Sequence, residues 1–204
     1  MAQTSTTLIA TKAHVTTITG SDISFTATSG VYTISSTSTI LTGSGKLAVF
    51  DLITVTNTTN NNSTFTVKSV VSTTEITVEE VVTTETADGS TSTSLDHTGF
   101  VSDKAKGDGY YSQPDGVHTV SYQVSADFNA NATIKMQGSL ATTPTEDDWF
   151  DVADTTFTAD TSTVTSSANF TGNYVWVRYN VASVTAGTVN SILLNSYFSC
   201  FLHK

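Results

Sequence analysis

A run of carboxylates in the second half of the chain has the spacing most able to support chemistry. Glu146, Asp147 and Asp148 are consecutive, and Asp151 and Asp154 follow closely. Paired carboxylates can hydrolyse glycosidic bonds or bind calcium. The segment lacks the D-x-D-x-D-G spacing of a dedicated calcium loop, so a solvated loop on an acidic protein is the favoured interpretation. A glycosidase that uses Asp148 and Asp151 is the least favoured hypothesis, because no facing partner is apparent.

The histidines and the single cysteine form no recognisable catalytic or metal-binding pattern. Four histidines lie far apart, without the spacing of zinc ligands, at His14, His97, His118 and His203. Serine is abundant, but the chain has neither a G-x-S-x-G elbow nor a P-loop. Cys200 has no second cysteine to pair with, and its apolar neighbours favour a buried structural thiol over a reactive one. We therefore expect no metal, no cofactor and no enzymatic activity.

The composition indicates a folded, all-β protein. Only 13% of the 204 residues are charged, against roughly 25% in average globular chains. Threonine and serine replace the charge, and threonine favours strands because it is β-branched. The aromatic residues fall within alternating runs, which argues against a disordered chain. No segment has the residue types or the period of a helix.

The charge balance limits the classes of partner. The formal net charge is −10, which argues against binding to nucleic acid or to an anionic membrane surface. The first residues show neither the basic region nor the apolar core of a signal peptide, and no run has the roughly 18 apolar residues of a membrane helix. We expect a protein that is made in a cytoplasm and carries no targeting signal of its own.

Strands at short, regular intervals predict two β-sandwich or barrel-like domains. The N-terminal all-β domain is expected at residues 1–96, with strands at 13–17, 24–28, 31–35, 47–57, 65–71, 75–82 and 92–95. Residues 97–117 are expected to form a linker, because the composition shifts there and no period is sustained. The C-terminal sandwich is expected at residues 118–204, with its last strand at 189–202.

The clearest strand pair lies in residues 119–152, where apolar and polar residues alternate with the period of a half-buried strand. The alternation predicts inward-facing side chains at Val120, Tyr122, Val124, Ala126 and Phe128, and, after a turn at 129–131, at Ala132, Ile134 and Met136.

Three further patterns carry predictions of burial. In the first domain, Phe65, Val67, Ile76 and Val78 are expected to face inward, and residues 60–62 are expected to form a hairpin tip. In the strand near residue 176, Tyr174, Trp176 and Arg178 share one face, whereas Val175, Val177 and Tyr179 share the other. Both tryptophans, Trp149 and Trp176, are expected in or at the edge of the second core.

Three aromatic residues are candidates for an interface or a ligand platform. Tyr110 and Tyr111 lie between glycine-rich stretches, and tyrosine buries area while keeping a polar tip. They pack either on a partner or simply over the local core, and the sequence leaves both interpretations open. Trp149 follows the acidic run and is the third candidate, because an exposed indole can stack on a sugar ring.

The second half contains A-T-I-K-M-Q-G-S-L-A-T-T-P, then D-D-W-F-D-V, and later Y-V-W-V-R-Y before a glycine turn and a closing strand. In these segments it resembles a β-sandwich module of structural proteins in tailed bacteriophages. The first half is similar to another phage-virion segment, in F-D-L-I-T-V, S-T-F-T-V-K-S-V and T-E-I-T-V-E-E-V-V-T-T-E-T-A, although the glycine that commonly precedes this pattern is missing. The matches span roughly residues 40–95 and 118–198.

The resemblance implies an immunoglobulin- or discoidin-like second domain and a place in the virion. It implies a non-catalytic capsid-decorating, neck or tail accessory protein that is homo-oligomeric and contacts other virion proteins. The apolar tail at 197–202 is then expected to dock on its own sandwich or on a neighbour. The alternative hypothesis is a carbohydrate-binding adhesin module, with Tyr110, Tyr111 or Trp149 as the sugar platform.

Overall fold

A computed structural model describes residues 5–38, 41–111, 116–128, 132–160 and 164–196. In these ranges the protein consists of β-strands and two short 3-10 helices, and the prediction of an all-β fold of β-sandwich type is confirmed. No helix in the described ranges is long and apolar enough to cross a membrane. Cys200, His203 and the tail at 197–202 lie outside the described residues, as does the expected turn at 129–131.

The strands follow the chain in this order: β1 (Ser5–Ile9), β2 (Lys12–Ala13), β3 (Ile18–Gly20), β4 (Ser24–Thr28), β5 (Val31–Ser35), β6 (Asp51–Thr56), β7 (Thr64–Ser72), β8 (Glu75–Val78), β9 (Thr93–Val101), β10 (Ala105–Lys106), β11 (Val117–Val124), β12 (Thr133–Ser139), β13 (Phe150–Asp151), β14 (Phe157–Thr158), β15 (Thr165–Thr171), β16 (Trp176–Ala182) and β17 (Thr188–Ser196). The 3-10 helices are η1 (Asp108–Tyr111), between β10 and β11, and η2 (Glu146–Asp148), between β12 and β13.

The chain forms two compact units. Unit I comprises residues 14–100, and unit II comprises residues 1–13 together with 101–204. The N-terminal strand β1 belongs to unit II, because it pairs antiparallel with β17 near the other end of the chain. The segment expected as a linker, 97–117, contains the end of β9, all of β10 and η1.

Unit I is built on strands in the order β9-β6-β7-β8-β5-β4, with β3 paired to β9. Strand β7 pairs with β6 through its first residues and with β8 through the rest, so this one strand connects the two parts of the sheet. The expected inward residues are all buried, at Phe65, Val67, Ile76 and Val78. They join a core that also contains Phe25, Ile34, Ile53 and Leu95.

Unit II has two sheets. One has the order β1-β17-β11-β15, with β2 added to β17, and the other has β12 at its centre between β13 and β16, with β10 paired to β16 and β14 to β12. Buried side chains from both sheets form the core of the sandwich, among them Val120, Tyr122, Ile134, Met136, Val177, Tyr179, Ile192 and Leu194. The Tyr122 hydroxyl donates a hydrogen bond of 2.8 Å to the Thr155 carbonyl, and burial raises the pKa of this phenol.

One expected core residue of unit II is exposed. Val120, Tyr122, Val124 and Phe128 are buried as predicted, but Ala126 faces solvent. Strand β11 ends at Val124, and the chain then turns, with the Phe128 amide donating to the Ser125 carbonyl at 3.0 Å. The strand alternation therefore stops before Ala126, which lies in that turn.

Candidate functional site

The outer face of β16 carries the most distinctive surface of unit II. Val177 and Tyr179 point into the core, and the alternation of the strand places Trp176 and Arg178 on the opposite face. Strand β12 lies on one side of Trp176, where Ser139 is its partner, and β10 lies on the other, where Lys106 is its partner. Trp176 thus lies between residues of both neighbouring strands, whereas the contacts of Arg178 are on the β12 side.

On the β10 side, three aromatic rings and two lysines form a cluster that we call the basic aromatic patch (Lys104, Lys106, Tyr110, Tyr111 and Trp176). The Tyr110 ring lies 5.1 Å from that of Tyr111 and 4.9 Å from that of Trp176. Both tyrosines are exposed, at 43% and 44% of their surface. The tyrosines that the sequence singled out therefore remain on the surface and pack against each other, and Tyr110 also packs against Trp176.

The two lysines of the patch lie over the rings. The Lys104 ammonium is 4.8 Å from the centre of the Trp176 ring, and that of Lys106 is 4.2 Å from Tyr110 and 5.6 Å from Tyr111. Such cation–π contacts contribute about 0.5–1 kcal/mol at exposed sites. Within the described part of the chain neither lysine has a carboxylate partner, so each keeps a charge that an external anion can meet.

Two glycines hold the patch close to the sheet. The Gly107 amide donates to the Val175 carbonyl at 3.0 Å, and the Gly109 amide donates to the Tyr174 carbonyl at 2.8 Å. A Cβ on Gly109 would lie 2.6 Å from the Asn173 carbonyl oxygen, which is too close for any side chain. The Gly-Asp-Gly sequence before the tyrosines is therefore needed for the close approach of two backbones.

On the β12 side, Arg178 anchors the acidic segment, the carboxylate-rich residues 146–154. Its guanidinium donates to both carboxylate oxygens of Glu146, at 2.9 and 2.8 Å, and its Nε donates to the Gln137 side chain at 2.9 Å. The same guanidinium lies 4.3 Å from the centre of the half-buried Trp149 ring. The expected sugar platform at Trp149 thus has a cation over one ring face.

The carboxylates that could serve a glycosidase already have hydrogen-bond partners. Asp148 accepts from the amide and hydroxyl of Thr145, and these bonds lower the pKa of its carboxyl. Asp151 accepts from Lys135 and from Gln137. Its partial burial raises the pKa of this carboxyl, but the two partners outweigh burial and leave the pKa lowered. These contacts position the acidic segment along the edge of β12.

Each unit also buries one aspartate beside one histidine. In unit I, the Val15 amide donates to Nδ1 of His97 at 3.1 Å, so the ring proton resides on Nε2, which lies 3.3 Å from the Asp51 carboxylate. In unit II, Nε2 of His118 lies 3.2 Å from the Asp108 carboxylate. All four side chains are almost fully buried, which places both pairs inside their units.

The histidine search by sequence spacing missed these arrangements. His14 and His97 lie far apart in the chain, yet their ring centres are 5.4 Å apart within unit I. Burial lowers the pKa of His14, and the nearby His97 adds to this effect. Among the described residues, no group of three or more histidine, cysteine, aspartate or glutamate side chains is placed to hold a metal ion.

Unit I has a polar cleft of about 320 Å³ beside the asparagine-rich loop between β6 and β7. Its lining comprises Ser21, Ile23, Asn57, Thr58, Thr59, Glu85, Thr86, Ala87, Asp88, Thr91 and Thr93. Glu85 accepts from the amides of Thr59 and Asn60, at 2.7 and 2.9 Å, which fixes the loop to the cleft wall. The residues expected at a hairpin tip are thus tied down, and the side chain of Asn61 is buried.

Neither the comparison with protein-family models nor that with curated proteins returned a match to this chain. The resemblance to phage-virion modules stays a prediction.

Proposed function

We propose that this chain is a non-catalytic structural protein of a tailed-bacteriophage virion. It serves as a capsid-decorating or head–tail accessory component and assembles through contacts with copies of itself and with other virion proteins. The basic aromatic patch of unit II is the observation that carries the proposal. Tyrosine and tryptophan are enriched in the buried centres of protein interfaces, and this patch keeps two tyrosines and two lysines exposed on a chain of net charge −10.

The arrangement of the other polar groups supports the same role. Glu146, Asp148 and Asp151 in the acidic segment, and the two buried aspartates, are engaged in contacts that position loops and strands. The resemblance of residues 118–198 to virion sandwich modules adds a biological setting. A particle component must keep a rigid fold and offer a surface to its neighbours, and the patch supplies such a surface.

Labelled electron microscopy tests this proposal. Antibodies raised against the purified chain are applied to intact particles of the phage that encodes it, and peptide mass spectrometry of the same particles measures its copy number. We expect regular labelling at the capsid surface, neck or tail and a copy number that matches the symmetry of that site. A chain that is produced during infection but is absent from mature particles would contradict the proposal.

A carbohydrate-binding module is the second candidate, and the cleft of unit I favours it. Carboxylates, an asparagine and several threonines line a volume at the low end of the range of ligand pockets, about 300–1,000 Å³. Such a lining can accept and donate hydrogen bonds to sugar hydroxyls. In unit II, by contrast, cations already lie over the rings of Trp149 and Tyr110, which leaves less ring face for a sugar.

The positions of the tryptophans allow an experiment to distinguish sugar binding in the cleft of unit I from sugar binding on the aromatic surface of unit II. Both tryptophans are in unit II, so binding there changes their fluorescence, whereas binding in unit I is followed by calorimetry. Titration with neutral and uronate oligosaccharides gives heat without a fluorescence change if the cleft binds sugar. The substitution Asp88→Asn should then weaken binding, and heat that is unchanged by D88N would argue against the cleft.

A further inference from the structure

The outer face of β16 combines opposite charges on its two sides. Towards β12, η2 presents Glu146, Asp147 and Asp148, which are all exposed. Towards β10, Lys104 and Lys106 are exposed and lack a carboxylate partner in the described part of the chain. The face therefore has an acidic side and a basic side within one compact unit.

Trp176 connects the two sides. Its indole N–H donates to the Thr142 carbonyl at 3.0 Å, in the segment that leads into η2, and its ring packs against Tyr110 and Lys104. Leu140, which is 64% exposed, follows the residue opposite Trp176 on β12. The Trp176 ring thus lies between the segment that leads into η2 and the lysine side of the face.

A surface with this order of charges is complementary to itself. When two copies pair around a two-fold axis, both use the same face. With the axis between the acidic and the basic side, the acidic side of each copy faces the basic side of the other. An axis near Trp176 would bring the lysines of each copy to the acidic segment of its partner. The rings at the centre would then lose their contact with water.

We propose that unit II pairs with a second copy of this chain through this face, as an isologous dimer centred near Trp176. In the dimer, Lys104 and Lys106 of one copy contact the exposed acidic residues around Asp147 of the other. This inference rests on the proposal above that the chain assembles through contacts with copies of itself. It adds that the partner is a second copy of unit II and that the symmetry is two-fold. It does not rest on the virion setting, so failure of particle labelling would leave it standing.

The alternative ligand for this face is an acidic polysaccharide. Stacking of sugar on a ring needs an open ring face, but Lys106 lies over both tyrosines and Lys104 lies over Trp176. Ammonium groups placed on rings remain able to pair with carboxylates from the side. The adjacent acidic segment would also repel a polyanion, whereas it complements a second copy of the basic patch.

Charge reversal of the full chain tests the dimer by sedimentation equilibrium. The wild-type protein should show a mass twice that of the 21.5 kDa chain, and its association should weaken as salt is raised. The double substitution Lys104→Glu with Lys106→Glu should weaken association by at least about tenfold, because like charges then face each other. A matched control is K46E with K68E, which changes the net charge equally but lies in unit I and should keep the dimer.

A compensating substitution identifies the contact itself. Asp147 has no hydrogen bond or ion pair within the described residues, so Asp147→Lys should leave the fold intact. The chain that combines D147K with K104E and K106E should recover part of the lost association, since opposite charges again meet across the axis. Mixing the D147K chain with the K104E/K106E chain should likewise form a mixed dimer.

Several outcomes would overturn the inference. A monomeric wild-type chain, an oligomer that is insensitive to K104E/K106E, or a loss of association that D147K does not restore would each do so. Binding of a uronate oligosaccharide that depends on Lys104 and Lys106, by a chain that stays monomeric, would assign the face to a polysaccharide instead. Circular dichroism and tryptophan emission check that each variant is folded, and K104Q/K106Q provides a milder variant if charge reversal disturbs the fold.

Discussion

The two units treat their charged side chains in different ways. In unit I, carboxylates accept hydrogen bonds from nearby backbone amides and hydroxyls, as Glu85 does from the loop after β6. Asp88 accepts from the amides of Ser90 and Thr91 at 2.8 and 2.7 Å. On the outer face of unit II, by contrast, Lys104 and Lys106 rest on aromatic rings.

The two kinds of charged group have different roles, since the carboxylates hold loops in place and the lysines present a charge to solvent. A carboxylate that accepts hydrogen bonds from several N–H groups is occupied by contacts within the fold, and these bonds lower its pKa. An ammonium group over a ring is stabilised by the ring quadrupole but keeps its charge towards solvent. Carboxylates fix loops in both units, as Asp148 does in unit II, but Lys104 and Lys106 of unit II add charges that are available to a partner.

The largest expected effect comes from breaking the buried pair in each unit. Asp51→Ala removes the carboxylate that lies 3.3 Å from Nε2 of the buried His97, and it leaves the Ala48 amide without its acceptor in unit I. Asp108→Ala does the same to His118 and the Gly116 amide in unit II. Each substitution should cost about 3 kcal/mol, since an unsatisfied buried polar group costs about 1–3 kcal/mol.

Hydrogen exchange by mass spectrometry should localise each loss. Amides in residues 14–100 should exchange faster in D51A, and those in residues 101–196 should do so in D108A. Tryptophan emission should change in D108A alone, because both tryptophans lie in unit II. Faster exchange in the same unit for both variants would contradict the assignment of one pair to each unit.

The next effect concerns the glycine that seats the basic aromatic patch. Gly109→Ala should destabilise unit II by about 2 kcal/mol, because overpacking typically costs about 1–3 kcal/mol. Gly89 in unit I is the control. It has φ +71° and open space around it, so G89A should cost only about 1 kcal/mol through backbone strain. Urea unfolding followed by circular dichroism measures both, and an equal or larger loss in G89A would argue against the steric account.

A smaller effect is expected at the ion pair on the outer face of β16. Arg178→Lys keeps the charge but loses the two-pronged contact with Glu146 and the flat group over Trp149. We expect a loss of about 1.5–2 kcal/mol, at the low end of the range for hydrogen bonds to charged groups because Glu146 is partly exposed. The Trp149 emission should shift, since its covered ring face becomes accessible. An unchanged emission and stability would show that the contact is not maintained in solution.

The smallest effect is the pH dependence of unit I at His14. Its pKa is lowered in the folded state by burial and by His97, so protonation favours the unfolded chain. Stability is therefore full above the ordinary histidine pKa of about 6.5 and declines as the pH falls below it. The variant His14→Gln should show a flatter decline between pH 7 and about 5. A slope identical to that of the wild type would place the titrating group elsewhere.

Asp88 offers a comparison at lower pH in the same unit. Amides of Thr91 and Ser90 lower the pKa of its carboxyl to about 2, so its contribution is present at neutral pH and is lost as the pH falls towards 2. D88N should remove that part of the acid dependence without changing the decline near pH 6. Acid unfolding followed by circular dichroism distinguishes the two substitutions.

Much of the core could be predicted from local alternation. The pattern placed Phe65 and Val67 inward in unit I and Ile134 and Met136 inward in unit II, and all four are buried. It failed at Ala126, where the strand had ended, because alternation reports on a face only while the backbone is extended. The tyrosines of the patch were recognised as interface candidates, although the lysines and Trp176 that pack against them were not.

Contacts between distant segments were outside the reach of such patterns. The N-terminal strand pairs with β17, which moves residues 5–9 into unit II, and a local pattern does not name the partner of a strand. The meeting of His14 with His97 and of Asp108 with His118 depends on register across strands and turns. A one-residue slip in the register of β9 or β11 would turn His97 or His118 to the other face of its sheet.

The sequence by itself determined the β-class, the turn-rich spacing of the strands and the acidic charge, because each depends on residue type and on a period of two. Only the tertiary structure decided that Trp176 lies between Lys104 and Lys106 on one side and the acidic segment after β12 on the other. That arrangement depends on two strands pairing on opposite sides of β16, with registers set by packing in the core beneath. The self-complementary face therefore belongs to the folded unit and to none of its segments alone.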